Sequence, residues 1–239
     1  MPATIESFVE MLEHPTTMRR IVAMGSSNTQ RVYNNPTIQN WVDWLDLLLG
    51  NSYGRGHIMI NSGISGETTA QILKRFERDV VLFQPQLVFI TAGGNDSNPA
   101  KLVSVDQYRS NLLAMVKRTR ELPECVPVLQ TYYSIDDETM IQNGAAEHVK
   151  NFHAYMQTVR EVAKETSTPL IDHLVRWEPL RKSDVAAFRA LMVDPMHMSG
   201  RGHLLFALDV FRAMGCKFAP AMTEFCKDGL ALQRQLDEL

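Results

Sequence analysis

Short apolar runs alternate with longer amphipathic stretches along the chain, and the early runs end in turns rich in Gly, Ser and Asn. This is the pattern of βαβ units around a parallel sheet buried on both faces. The apolar runs predict strands at Ile21 to Met24, His57 to Ile60, Leu87 to Thr91, Val126 to Gln130 and Leu170 to Ile171. Between them, spacings of three and four predict helices. One starts with Asn35 as cap and Pro36 as first helical residue, carries Trp41, Trp44, Leu45 and Leu48 on one face, and stops at Gly50. Others cover Thr69 to Phe76, Asp106 to Arg120, Ala145 to Lys164, Gly202 to Met214 and Ala219 to Leu239.

A length of 239 residues admits one large domain or two small ones. No internal repeat, low-complexity segment or Pro/Gly/Ser linker divides the chain, so the expectation is a single doubly wound α/β domain over 19–239. Residues 1–18 read as an added N-terminal helical extension, and Tyr132 to Gly144 is long for a connection between strand and helix.

Composition narrows the function classes. Hydrophobic residues at 45% and charged residues at 21% exclude a disordered chain. With 24 basic and 27 acidic residues the net charge is −3, which argues against nucleic acid or an anionic membrane as partner. Three scattered cysteines form neither a disulfide framework nor a CxxC site, and the seven histidines include no HExxH pair, so no metal or other cofactor is expected. The first residues carry acids where a secretory signal would be basic, and the most apolar stretch is broken by Gln84, Pro85 and Gln86. The expected location is therefore the cytoplasm.

Open α/β sheets place their sites beyond the carboxyl ends of the strands. That rule selects Ser26 and Ser27, Gly63 to Thr68, and Gly93 to Asp96. Each alone also reads as ordinary turn or cap composition. A fourth segment is Asp194-Pro195-Met196-His197. If Pro195 opens a helical turn, Asp194 and His197 share a face and the carboxylate can hold the imidazole tautomer, although a helix cap and a surface histidine are the plainer alternatives. Asp172 and His173, neighbours at a strand end, point to opposite faces and make a poor catalytic pair. Together the four segments supply one machine. Ser27 is the candidate nucleophile, His197 its base and Asp194 the orienting group, with the amides of Ser27 and Gly66 and the side chain of Asn95 as oxyanion donors.

The ordered set of Gly25-Ser26-Ser27, Asn61 to Thr68, Gly93-Gly94-Asn95-Asp96 and Asp194-x-x-His197 resembles the SGNH hydrolases, or GDSL esterase and lipase family. The resemblance runs from residue 19 to about residue 214 and implies a three-layer, flavodoxin-like fold with a mainly parallel sheet. It puts Ser27 in the nucleophile position, Gly66 on the oxyanion glycine and Asn95 on the oxyanion amide. One position departs: Ser26 stands where the family usually has Asp.

The expected activity is a serine esterase acting through an acyl-enzyme on a small-molecule ester. The expected substrate carries a short acyl group, acetyl foremost, on a polar or carbohydrate-like alcohol. Hydroxyls and carboxylates of Tyr132 to Glu138 would face that alcohol, and Trp177 would either stack on a sugar or pack. Lysophospholipase, thioesterase, acyltransferase and a non-catalytic binding module are the alternatives, and a homo-oligomer is compatible with the sequence. GxSxG, GxxxxGK[ST] and GxGxxG are absent, which removes the usual signatures of α/β-hydrolases, P-loop enzymes and dinucleotide oxidoreductases.

Overall fold

A computed structural model of the chain describes residues 3–33, 35 and 37–239. Its strands are β1 (Arg19–Gly25), β2 (His57–Gly63), β3 (Leu87–Thr91), β4 (Val126–Gln130) and β5 (Leu170–Ile171). They pair in parallel in the order β2-β1-β3-β4-β5. Every residue of β3 and β4 is buried, which explains why these strands are unbroken apolar runs rather than alternating ones.

The helices are α1 (Ile5–Glu13), α2 (Trp41–Tyr53), α3 (Thr69–Asp79), α4 (Val105–Arg120), α5 (Asp137–Gln142) and α6 (Ala146–Thr166). They continue as α7 (His173–Ser183), α8 (Val185–Arg189), α9 (Gly200–Ala213) and α10 (Lys227–Asp237). Right-handed crossovers decide which face each helix covers. The step from β1 to β2 runs one way along the sheet and every later step runs the other way, so α2 is separated from α3, α4 and α6. Accordingly α2 packs on α9 and α9 on α10, while α3 packs on α4 and α4 on α6. Trp41 of α2 is fully buried, with its ring centroid 5.9 Å from Phe89 of β3 and 5.3 Å from Phe206 of α9. These three layers, in the strand order 2-1-3-4-5, are the flavodoxin-like doubly wound arrangement.

The α1 helix precedes the sheet, opens with a reciprocal Thr4–Ser7 capping box and buries Phe8 and Leu12. Its residues, with Val126 at the start of β4 and Pro169 just before β5, line a groove of about 1020 Å³ at the amino ends of the strands. That is the end of the sheet away from Ser27.

Several boundaries differ from the sequence reading. The α2 helix starts at Trp41, because Asn40 accepts from the Val42 and Asp43 amides while Asp43 accepts from the Asn40 amide. Asn35 caps no helix there, and the placement of Pro36 lies outside the described residues. Gly50 sits inside α2, which ends against Gly54 at φ +74°. The last helix is also shorter, since Pro220–Met222 form a separate 3-10 turn before α10. The long connection after β4 holds α5. Residues 173–189 form α7 and α8, two helices not foreseen, with Pro179 inside the first.

Candidate active site

The strand register sets the scene. Gly25 at the end of β1 pairs with Gly63 of β2 and Thr91 of β3, so the loops that follow all three strands emerge side by side. The first loop is a tight turn in which the Ser26 carbonyl accepts from the amides of Thr29 at 3.0 Å and Gln30 at 2.9 Å. Two side-chain amides fix it from outside: Asn40 and Asn61 each donate to the Thr29 carbonyl at 2.7 Å. Ser27 is left at the tip, half-buried, between the buried residues Ser26 and Asn28.

The segment carrying His197 is not the helical turn expected after Pro195. It is a bend closed by an antiparallel bridge between Met192 and Met198, with the Val193 amide donating to the His197 carbonyl at 2.8 Å. Asp194 Oδ1 accepts from the amides of Met196 at 2.8 Å and His197 at 2.9 Å, which folds the bend around the carboxylate. Oδ2 is then 2.7 Å from His197 Nδ1. Burial opposes the charge on Asp194, but the His197 ring and the Met196 amide outweigh it and hold the carboxyl below its ordinary range. An ionised carboxylate can only accept, so Nδ1 is the nitrogen that donates to it, and in a neutral ring Nε2 is left as the acceptor. The Ser27 hydroxyl lies 2.9 Å from that Nε2.

Gly66 and Asn95 lie on the neighbouring loops. Gly66 has φ +79°, a left-handed turn that favours glycine. The Asn95 side-chain amide donates to the Glu67 carbonyl at 2.9 Å, which ties the β3 loop to the β2 loop one residue from Gly66. Asp96 makes a second tie. Buried at the base of α3, it accepts from the Thr69 amide at 2.9 Å and from the Thr69 hydroxyl, and Asn111 donates to that hydroxyl at 3.0 Å. Desolvation raises the Asp96 pKa despite these bonds.

One functional support escaped the sequence reading. Arg75, nearly buried on α3, donates from Nε to Glu67 at 2.6 Å, from Nη1 to the Ser62 carbonyl at 2.9 Å and from Nη2 to the Gly25 carbonyl at 3.2 Å. It clamps the Gly66 loop to the ends of β1 and β2. The signal was present: an arginine between Ile72 and Phe76, on the apolar stripe of a helix, must be buried and therefore paired.

Other expected roles are not met. Tyr132 to Asp136 are buried, and their polar groups are spent inside the protein, with Asp136 paired to Arg189 at 2.7 Å and Ser134 accepting from Arg181 at 2.9 Å. They are not placed to meet an alcohol. Of the two roles open to Trp177 the structure shows packing: it is fully buried and donates to Asp209 at 3.0 Å. Asp172 caps α7 and pairs with Arg160 at 2.6 Å, while His173 stacks on Phe206 with centroids 3.6 Å apart, in keeping with their rejection as a catalytic pair. Among the described residues no cluster of three His, Cys, Asp or Glu is placed to hold a metal ion, and no helix is long and apolar enough to cross a membrane.

Comparisons with known proteins bear on the fold and the family. An uncharacterized lipoprotein of Bacillus subtilis, YqeF, is 29% identical over 212 residues, covering 76% of this chain and 84% of the relative. An acetylxylan esterase of Geobacillus stearothermophilus is 27% identical over 165 residues, covering 66% and 72%. The crystal structure of the acetylxylan esterase Axe2 from the same organism superposes with a TM-score of 0.71 at 24% identity, over 85% of this chain and 97% of that one. Residues 23–205, which include Ser27, Gly66, Asn95, Asp194 and His197, match the profile of one family, and the chain belongs to it: the GDSL-like Lipase/Acylhydrolase family.

Proposed function

We propose that this carboxylic ester hydrolase removes short acyl groups, acetyl foremost, from a polar, carbohydrate-like alcohol through an acyl-enzyme on Ser27. The observation that carries the reading is the unbroken line from Ser27 Oγ through His197 to Asp194, at 2.9 and 2.7 Å. In the proposed cycle His197 Nε2 takes the Ser27 proton as Oγ attacks the ester carbonyl carbon. The charge that develops on the carbonyl oxygen is met by the amides of Ser27 and Gly66 and by the Asn95 side chain. His197 then passes its proton to the departing alkoxide. Water, deprotonated by the same nitrogen, attacks the acyl-serine, releases the acid and restores Ser27. Asp194 stays ionised and holds the ring throughout.

Two observations support the substrate class. The side chains of His197 and Asp194 are 43% and 47% exposed, which suits a bulky alcohol approaching an open site. The Geobacillus stearothermophilus relative is an acetylxylan esterase, also described as an acetyl-xylooligosaccharide esterase, and has been solved as catalytic mutants with a serine, an aspartate or a histidine replaced by alanine. The test is kcat/KM for nitrophenyl esters of rising acyl length and for acetylated xylo-oligosaccharides, with wild type and Ser27→Ala. The expected result is highest activity on acetyl esters, abolished by Ser27→Ala. A rate that climbs with acyl length would refute the short-acyl reading.

A further inference from the structure

Two consecutive tyrosines follow β4, and both are buried. The Tyr132 hydroxyl is 2.8 Å from Ser26 Oγ. The Tyr133 hydroxyl is 2.7 Å from Asn28 Oδ1 and 2.5 Å from the Met196 carbonyl, to which Asn28 Nδ2 also donates at 3.3 Å. Ser26 and Asn28 flank Ser27 on either side, and Met196 directly precedes His197. Apart from the Ser27–His197 bond itself, the described hydrogen bonds joining these two loops all run through Asn28, Tyr133 and Met196.

The rings that carry these hydroxyls are fixed by the core. Tyr133 packs with its centroid 5.2 Å from Trp177 and edge-on to Phe206 at 6.2 Å, while Tyr132 stands edge-on to Phe152 at 6.1 Å. A Cβ at Gly94 would lie 3.1 Å from Tyr132 Cζ, so the ring is seated against bare backbone next to Asn95. Burial pushes the Tyr132 hydroxyl up to about 12 and that of Tyr133 well above its ordinary value, so both remain protonated in any working buffer.

We infer that Tyr132 and Tyr133 are positioning residues, whose hydroxyls hold the two sides of Ser27 and the residue before His197 at the separation that proton transfer needs. The inference rests on the acyl-enzyme reading above. It also accounts for Ser26, whose hydroxyl is engaged by Tyr132 at the position where the family resemblance leads one to expect Asp.

Tyr133→Phe keeps the ring and deletes only the hydroxyl. The expected result is a kcat about tenfold lower on a short ester with KM within about twofold, because misplaced reacting groups cost rate rather than binding. The rate of fluorophosphonate labelling at Ser27 should fall in parallel. Tyr132→Phe, which frees only the Ser26 side, gives a smaller loss of the same kind. Asn28→Ala cuts the same tie from the other loop, so Tyr133→Phe should add little in that background. Wild-type kcat and labelling rates in folded Tyr133→Phe would overturn the inference, as would additive losses in the double variant. So would activity that merely tracks the folded fraction in both Tyr133→Phe and Asn28→Ala. Failure of the acyl-enzyme reading would look different, since Ser27→Ala would then retain activity with both tyrosines in place.

Discussion

The side-chain amide of Asn95 gives one N–H to the Glu67 carbonyl at 2.9 Å and so commits half of its donor capacity to the loop that bears Gly66. In the proposed cycle the other N–H meets the oxyanion, already oriented by the first bond. Asn95→Ala is expected to lower kcat by about a hundredfold, as losing one preorganised donor typically does. KM should change little, because the donor acts on charge that exists only in the transition state. Steady-state kinetics on an acetyl ester decide it, and a raised KM with full kcat would make Asn95 a binding residue.

Ser26 and Ser27 are adjacent hydroxyls with different partners, Tyr132 for one and His197 for the other. Only Ser27 faces an imidazole. Intact-protein mass spectrometry after fluorophosphonate treatment should show a single adduct in wild type and in Ser26→Ala, and none in Ser27→Ala. An adduct lost only in Ser26→Ala would reverse the assignment.

Asp194 folds its own bend with Oδ1 and orients the His197 ring with Oδ2. An asparagine in its place preserves the acceptor for the bend but no longer fixes Nδ1 as the protonated nitrogen. Asp194→Asn should therefore reduce kcat by roughly 10³-fold or more while leaving the thermal midpoint close to wild type. Paired kinetics and thermal unfolding check both halves of the statement.

Two buried histidines give stability a pH dependence whose sign is fixed. Burial lowers the folded-state pKa of His173 to about 3 and of His203 to about 4, from an ordinary 6.5. As pH falls below 6.5 the unfolded chain takes up protons that the folded chain refuses, so folding stability declines until the folded values are reached. Each group contributes a slope of about 1.4 kcal/mol per pH unit within that window. Urea unfolding at several pH values between 6.5 and 4.5 should show a shallower slope for His173→Phe than for wild type, whatever its absolute stability.

Arg75 holds Glu67 and Asp79, both largely shielded, at 2.6 and 2.8 Å. Arg75→Met fills similar space but strands the Glu67 carboxylate, leaves Asp79 to Arg78 alone, and takes a donor from two backbone carbonyls. A loss of about 3 kcal/mol in urea unfolding is expected, the usual cost of breaking a buried pair from one side. The Gly66 loop loses its clamp as well, so kcat in the folded fraction should also fall.

The elements legible in the sequence were those whose residues answer to a single environment. The strands β3 and β4 match their apolar runs to the residue because both are buried between neighbouring strands, and the two-residue edge strand β5 matches as well. At β1 and β2 the ladder continues through Gly25 and through polar Asn61 to Gly63, where hydrogen bonding rather than burial sets the limit. The start of α2 was misplaced because Pro36 is a loud signal, whereas the reciprocal Asn40–Asp43 cap is a quiet one. The helices α7 and α8 were missed because Leu174, Trp177 and Leu180 are interrupted by Pro179 and charged residues, so no clean stripe marks them. In the site, Ser27, Asp194 and His197 were readable from motifs that fix local spacing. Tyr132 and Tyr133 were misread as facing a substrate, because what they touch lies about a hundred residues earlier and more than sixty later.

Ser27 and His197 stand 170 positions apart in the chain, with most of the sheet and its covering helices built between them. On the proposed mechanism, a nascent chain displays its nucleophile early and acquires the base that activates it only after β5 and the bend at Asp194 have emerged. On that reading, translation products that stop short of His197 would be chemically silent, since the hydroxyl they expose has nothing to take its proton. Reactivity toward a serine-directed probe would then read out synthesis past His197 and closure of the site in one measurement.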